Sequence, residues 1–139
     1  MKRIGEGSRV IAVFSDKYLK SEYCMFELFE LFRNSKLEHQ RLRKVIYPLR
    51  IGLKNLNSPQ KKAKYLRYWE SREKDWNAFI EKMATKVDLE TSKNYQGIKN
   101  IKMFLDSLLG FIADTKSENF TKTNLSIIKQ DIISWLKNN

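Results

Sequence analysis

Ser8-Arg9-Val10-Ile11-Ala12-Val13-Phe14-Ser15 is the stretch from which the fold is read. It follows Gly5 and Gly7, ends in the polar pair Ser15-Asp16, and lacks the polar alternation of a half-exposed strand. The pattern predicts a strand covered on both faces and central in its sheet. A second run, Lys44-Val45-Ile46-Tyr47-Pro48-Leu49-Arg50-Ile51, predicts another strand over Lys44 to Arg50, with Pro48 removing one ladder donor near its end. Between them, over Tyr23 to Arg33, the residues Met25, Phe26, Leu28, Phe29, Leu31 and Phe32 span about 220° of a helical wheel. Only a narrow polar stripe of Glu27, Glu30 and Arg33 is left. Strand, helix and strand with connections this long predict two parallel strands joined by a right-handed crossover, the unit of α/β folds.

Beyond Ile51 the pattern is helical. Ser58-Pro59 reads as an N-cap followed by proline at the first helical position, and Tyr65, Tyr68, Trp69, Trp76, Phe79, Ile80 and Met83 recur at helical spacing. One long helix, or two kinked together, is expected there. Val87 to Leu89 is a candidate short third strand. A further helix carries Ile98, Ile101, Leu105, Leu108, Leu109 and Ile112 on one face, and a last one carries Leu125, Ile128, Ile132, Trp135 and Leu136 after a polar linker from Asp114 to Thr123. The expected organisation is a single domain over residues 1–139, with a strand-helix-strand core over 1–57 and a helical part over 58–139. In that arrangement one edge of the strand at Val10 to Phe14 has no neighbour, although its apolar pattern is that of a central strand. An upstream segment or a second chain is expected to complete the sheet.

Composition narrows the function classes. The 139 residues are 42% hydrophobic and 31% charged, enough to bury a core, and no apolar run approaches the roughly 18 residues of a membrane span. A cytoplasmic location without a membrane anchor is expected. One cysteine, Cys24, and one histidine, His39, do not make a zinc site, so no metal is expected; Cys24 reads as a buried small hydrophobe and His39 as a surface residue. The net charge of +11 is concentrated in residues 36–74, which carry 12 basic and 3 acidic groups. This segment reads first as a solvated face, with a phosphate-attracting surface or a charged self-assembly surface as the alternatives; with no helix-turn-helix, RNA-binding or zinc-finger signature, nucleic acid is not an expected partner.

The stretch from Val13 to Leu28 closely resembles the Toll/interleukin-1 receptor (TIR) domain family. That family's loop has the form Ser-x-x-Tyr-x-x-Ser-x-Trp-Cys-x-x-Glu-Leu, matched here by Ser15, Tyr18, Ser21, Cys24, Glu27 and Leu28, with Tyr23 in place of the Trp. The Tyr65-Leu66-Arg67-Tyr68-Trp69-Glu70 segment looks like bacterial members. The resemblance implies a flavodoxin-like fold, a parallel sheet flanked by helices. It implies as well that this chain corresponds to a C-terminal portion lacking the family's first strand, first helix, second strand and BB loop. Many members cleave NAD+ between nicotinamide and ribose, with the motif glutamate as the catalytic residue, and others act as noncatalytic modules that signal by assembling with further TIR domains. The implied roles are therefore Glu27 catalytic, with Tyr23, Ser15 and Ser21 binding substrate, NAD+ as substrate and no separate cofactor. The implied setting is bacterial antiviral defence or signalling, with an isolated chain of weak activity.

The chemistry is consistent with those residue types. Departure of nicotinamide leaves an oxocarbenium-like ribosyl centre, which a nearby carboxylate stabilises while accepting hydrogen bonds from ribose hydroxyls. Nicotinamide leaves a cationic state and departs neutral, so no general acid is required. Tyr23 and Glu27 are four apart, on one face of the expected helix, and Ser15 ends a parallel strand, where open α/β sheets bind ligands.

Overall fold

The computed structural model describes residues 9–83, 87–114, 118–119 and 125–138. Strand β1 (Val10–Phe14) leads through a four-residue helix α1 (Asp16–Leu19) into α2 (Glu22–Asn34), then α3 (His39–Val45) and β2 (Ile46–Arg50). Helices α4 (Pro59–Met83) and α5 (Leu89–Ala113), the two-residue strand β3 (Glu118–Asn119) and helix α6 (Leu125–Asn138) follow. The result is a mixed α/β structure, mostly helical, around a small parallel sheet of order β1-β2-β3. Val10 pairs with Ile46 and Phe14 with Arg50, so the expected parallel strand-helix-strand unit is present.

Capping explains several boundaries. The Ser15 side chain accepts from the Tyr18 amide at 3.2 Å and starts α1, and Ser21 accepts from the Cys24 amide at 3.2 Å and starts α2. Ser58 does the same for α4, accepting from Lys61 N at 3.3 Å, with Pro59 first in the helix. Helix α2 closes with the paired bonds of a Schellman motif, Leu37 N to Phe32 O at 2.9 Å and Lys36 N to Arg33 O at 3.0 Å, with Lys36 left-handed at φ 56°.

The main core lies on one side of the sheet. Met25, Leu28, Leu31 and Phe32 of α2 pack there with Tyr65 and Trp69 of α4 and with Ile98, Ile101, Leu105, Leu108, Leu109 and Ile112 of α5. Gly97 allows the approach of α2 to α5, since a Cβ there would lie 2.7 Å from the Phe26 ring. On the other side a smaller cluster of Tyr47, Leu49 and Ile128, with Ile132 and Trp135 against it, seats α6 on β2.

The structure departs from several expectations. The second strand starts at Ile46, because Lys44 and Val45 complete α3, a helix the sequence pattern did not indicate. Asp88, within the candidate third strand, instead caps α5 by accepting from the Thr91 amide at 2.7 Å. The pattern of α4 resolves into one 25-residue helix. Within the expected polar linker the described residues include β3, and 115–117 and 120–123 lie outside them. Strand β1 is not covered on both faces. It is an edge strand among the described residues, and Ile11 and Val13 are 48% and 45% exposed. Periodicity reports apolar character, and here that character belongs to a strand whose one face and outer edge have no described neighbour.

Candidate active site

The motif residues gather where the carboxyl end of β1 meets the amino end of α2. Ser15 and Ser21 each spend a lone pair on a helix cap, which fixes their positions and leaves the hydroxyl hydrogens free to donate. Tyr18 packs edge-on to Phe14 with ring centroids 4.7 Å apart. Burial pushes its phenol well above its ordinary pKa, and the nearby Cys24 and Glu27 add to the effect. Tyr18, Cys24 and Glu27 therefore share one electrostatic neighbourhood, and the phenol stays protonated as a hydrogen-bond donor.

The acidic residues around this junction divide into two kinds. Asp16 receives the Tyr65 hydroxyl at 2.7 Å and the Lys64 and Lys20 ammonium groups at 3.2 Å each. Its pKa is pushed down to about 2, chiefly by the Tyr65 hydrogen bond, with desolvation opposing it and Lys64 and Lys20 adding to it. Glu22 accepts from Arg72 Nε at 2.9 Å and from Trp76 Nε1 at 3.1 Å. Glu30 pairs with Arg33. Glu27, by contrast, is half-buried and has no hydrogen bond or ion pair among the described residues. The two cations best placed in sequence to neutralise it, Lys20 and Arg33, are engaged by Asp16 and Glu30.

Tyr23, one turn before Glu27 on α2, is 63% exposed, and its ring is free to lie against a ligand held by that carboxylate. Cys24 is a free thiol of intermediate burial, more open than the fully buried hydrophobe expected. His39 is placed differently from its expected surface position. It is half-buried, within 5.8 Å of both the Phe32 and Phe111 ring centroids, and its Nε2 lies 3.1 Å from Ser107 Oγ. Its charged sequence neighbours hide an inward-facing position on α3.

Sequence reasoning missed the anchoring network of Asp16, Glu22, Tyr65, Arg72 and Trp76. The available signal was the spacing of Tyr65, Tyr68, Arg72 and Trp76, which align polar tips along one side of α4. Tyr68 donates to Lys20 O at 2.8 Å and Trp69 to Leu19 O at 3.1 Å, so α4 clamps the whole loop that carries the motif. A polar groove of about 680 Å3, lined by Leu31, Asn34, Glu38, Arg41 and Lys44, lies by the turn between α2 and α3. That turn leads into the amino end of β2, opposite to the end where parallel sheets bind ligands. Among the described residues there is no group of three or more His, Cys, Asp or Glu suited to a metal, and no helix is long and apolar enough to cross a membrane. No family profile matches the chain, and neither a curated protein nor a solved structure matches it.

Proposed function

We propose that the chain is a TIR-like, flavodoxin-type unit whose Glu27 promotes cleavage of NAD+ at the nicotinamide–ribose bond. The observation that carries this reading is the unpaired state of Glu27 beside three acidic residues that all have partners. A half-buried carboxylate without a cation, next to the Tyr23 ring in a chain of net charge +11, is available to a ligand that carries or develops positive charge. The motif's resemblance supplies the substrate class. The ribose would lie at the carboxyl end of β1, its developing positive charge facing Glu27, with the Tyr23 ring alongside and the Ser15 and Ser21 hydroxyls within the same loop. Among the described residues nothing pairs with the outer edge of β1, which leaves this position open on one side, so turnover by the 139-residue chain is expected to be slow.

The test pairs nicotinamide release and NAD+ titration, followed through the amide resonances of residues 15–27, with thermal unfolding of the same variants. Glu27→Gln keeps volume and removes charge, so turnover should fall by about 10² to 10³ with little change in melting temperature. Leu28→Ala, fully buried one residue away, should cost about 2 to 5 kcal/mol and lose activity through unfolding. Retention of more than about a tenth of turnover in Glu27→Gln sinks the catalytic assignment. Absence of any NAD+-dependent shift in residues 15–27 leaves the noncatalytic interaction module as the better reading.

A further inference from the structure

Strand β1 has the composition of an inner strand and, among the described residues, the position of an edge. Its five residues Val10–Phe14 contain no charge, no proline and no bulge, the devices by which edge strands ordinarily avoid pairing with other chains. The direction of its free hydrogen-bonding groups follows from one bond. Phe14 O accepts from Ile51 N at 2.9 Å, so the peptide groups of Phe14, Ala12 and Val10 face β2. Those of Ile11 and Val13 face outward, because peptide groups alternate along a strand. The same two residues present the exposed β-branched side chains.

We infer that β1 pairs antiparallel with β1 of a second copy of this chain, about a two-fold axis through Ala12. In that register Ile11 lies opposite the partner's Val13, and Val13 opposite the partner's Ile11. The outward peptide groups of both residues then meet as hydrogen-bonded pairs, and Ala12 faces its own mate in the non-hydrogen-bonded position. Shifting the register by two residues in either direction keeps the hydrogen bonds but sets Val13 against Arg9, or Ile11 against Ser15. The Ala12-centred register alone matches apolar to apolar twice, the kind of cross-strand pair that stabilises sheets. Charge selects the same orientation. Parallel pairing would set Arg9 beside Arg9, whereas antiparallel pairing keeps the two arginines at opposite ends of the seam. The apolar patch formed by two copies of Ile11 and Val13 would be flanked by the two α6 helices, since Arg9 already donates to Leu136 O of α6 at 2.6 Å. The inference is independent of whether Glu27 cleaves NAD+.

Sedimentation of the 139-residue chain over a concentration series tests it together with cysteine crosslinking in a Cys24→Ser background. The expected mass rises from 16.6 kDa toward twice that value, and Val13→Lys stays monomeric with an unchanged circular dichroism spectrum. Ala12→Cys should form a disulfide-linked dimer on oxidation, because its mate lies about 4.5 Å away across the axis. Arg9→Cys should not, its mate being about 20 Å distant. Should Val13→Lys fail to fold, the crosslinking pair decides alone. Amide exchange at Ile11 and Val13 should be slowed only at high concentration. A mass that never rises, a dimer that survives Val13→Lys, or Arg9→Cys crosslinking as readily as Ala12→Cys overturns the inference. Protection of Ile11 and Val13 at every dilution overturns it as well, since the chain's own residues would then cover the edge.

Discussion

Asp16 is the first residue of α1, two past the end of β1, and receives three donors, from Tyr65, Lys64 and Lys20. Its depressed pKa means that its contribution is present in full above the unfolded value of about 3.9 and is lost as pH falls toward about 2. The melting temperature of Asp16→Asn should therefore lie below wild type at neutral pH, and the gap should narrow as pH falls through that window. A gap that is constant from pH 7 to pH 2 would show that the carboxylate's charge is not what Tyr65 and the lysines hold. The carboxylate is half-exposed, so solvent screens part of its attraction to the lysines, and the hydrogen bond from Tyr65 is the more durable part of the anchor. Glu22 is anchored through neutral and charged donors alike, Trp76 and Arg72, which hold the first turn of α2 against α4. The consequence for Glu27 is positional: its helix is pinned at the N-terminus by partners that do not compete for its own carboxylate.

At the end of α2, Lys36 and Leu37 both adopt left-handed backbone, at φ 56° and 60°. Lys36 occupies the position of the Schellman motif where glycine is preferred, and a side chain there costs about 1 kcal/mol. Lys36→Gly should thus stabilise the protein by about 1 kcal/mol, seen as a rise of roughly 2 to 6 °C in melting temperature. A fall would mean that the Lys36 side chain makes a compensating contact. The turn also shows where sequence reading stops. The wide apolar arc of α2 and the parallel pairing of Val10–Phe14 with Ile46–Arg50 were legible, because burial writes itself into periodicity. The short helix α3 was not, since Leu42 is the one buried residue in its seven and two arginines and a lysine mask the pattern. The exposed face of β1 was illegible for a different reason: an apolar residue looks the same in sequence whether or not something covers it. In the candidate site the motif located Glu27 and Tyr23 on one side of α2. The partners of Asp16 and Glu22 lie about fifty residues away on α4, where the spacing of Tyr65, Arg72 and Trp76 shows a shared face but not which residues that face meets.

Charge along the chain is more balanced in three dimensions than in one. Of the basic residues in 36–74, Arg41, Arg43, Lys62, Lys64 and Arg72 form ion pairs, four of them with acids from outside that segment. Charge reversal at Lys62 or Lys64 would act first on Asp106 or Asp16 within the same molecule, so a surface role for this segment is better probed at Lys61, Arg67 or Lys74. The interior is divided as well. The cluster of Tyr47, Leu49, Ile128, Ile132 and Trp135 shares no residue with the main core, and α6 is held by it together with the Tyr47–Asp131 hydrogen bond and the bond from Trp135 Nε1 to Arg43 O at 2.7 Å. Under native conditions α6 should therefore exchange its amide hydrogens through a detachment that leaves the rest folded, with a shallow dependence on denaturant. The amides of Ile98, Ile101, Leu105 and Leu108 should exchange only with global unfolding and its steep dependence. Trp135→Ala should accelerate exchange in α6 alone; equal acceleration in α5 would show one cooperative unit instead of two. Each detachment would bare Tyr47 and Leu49 beside Ile11 and Val13, turning one face of the sheet into a continuous sticky plane, so the lifetime of the released helix sets how long the folded protein is exposed to aggregation.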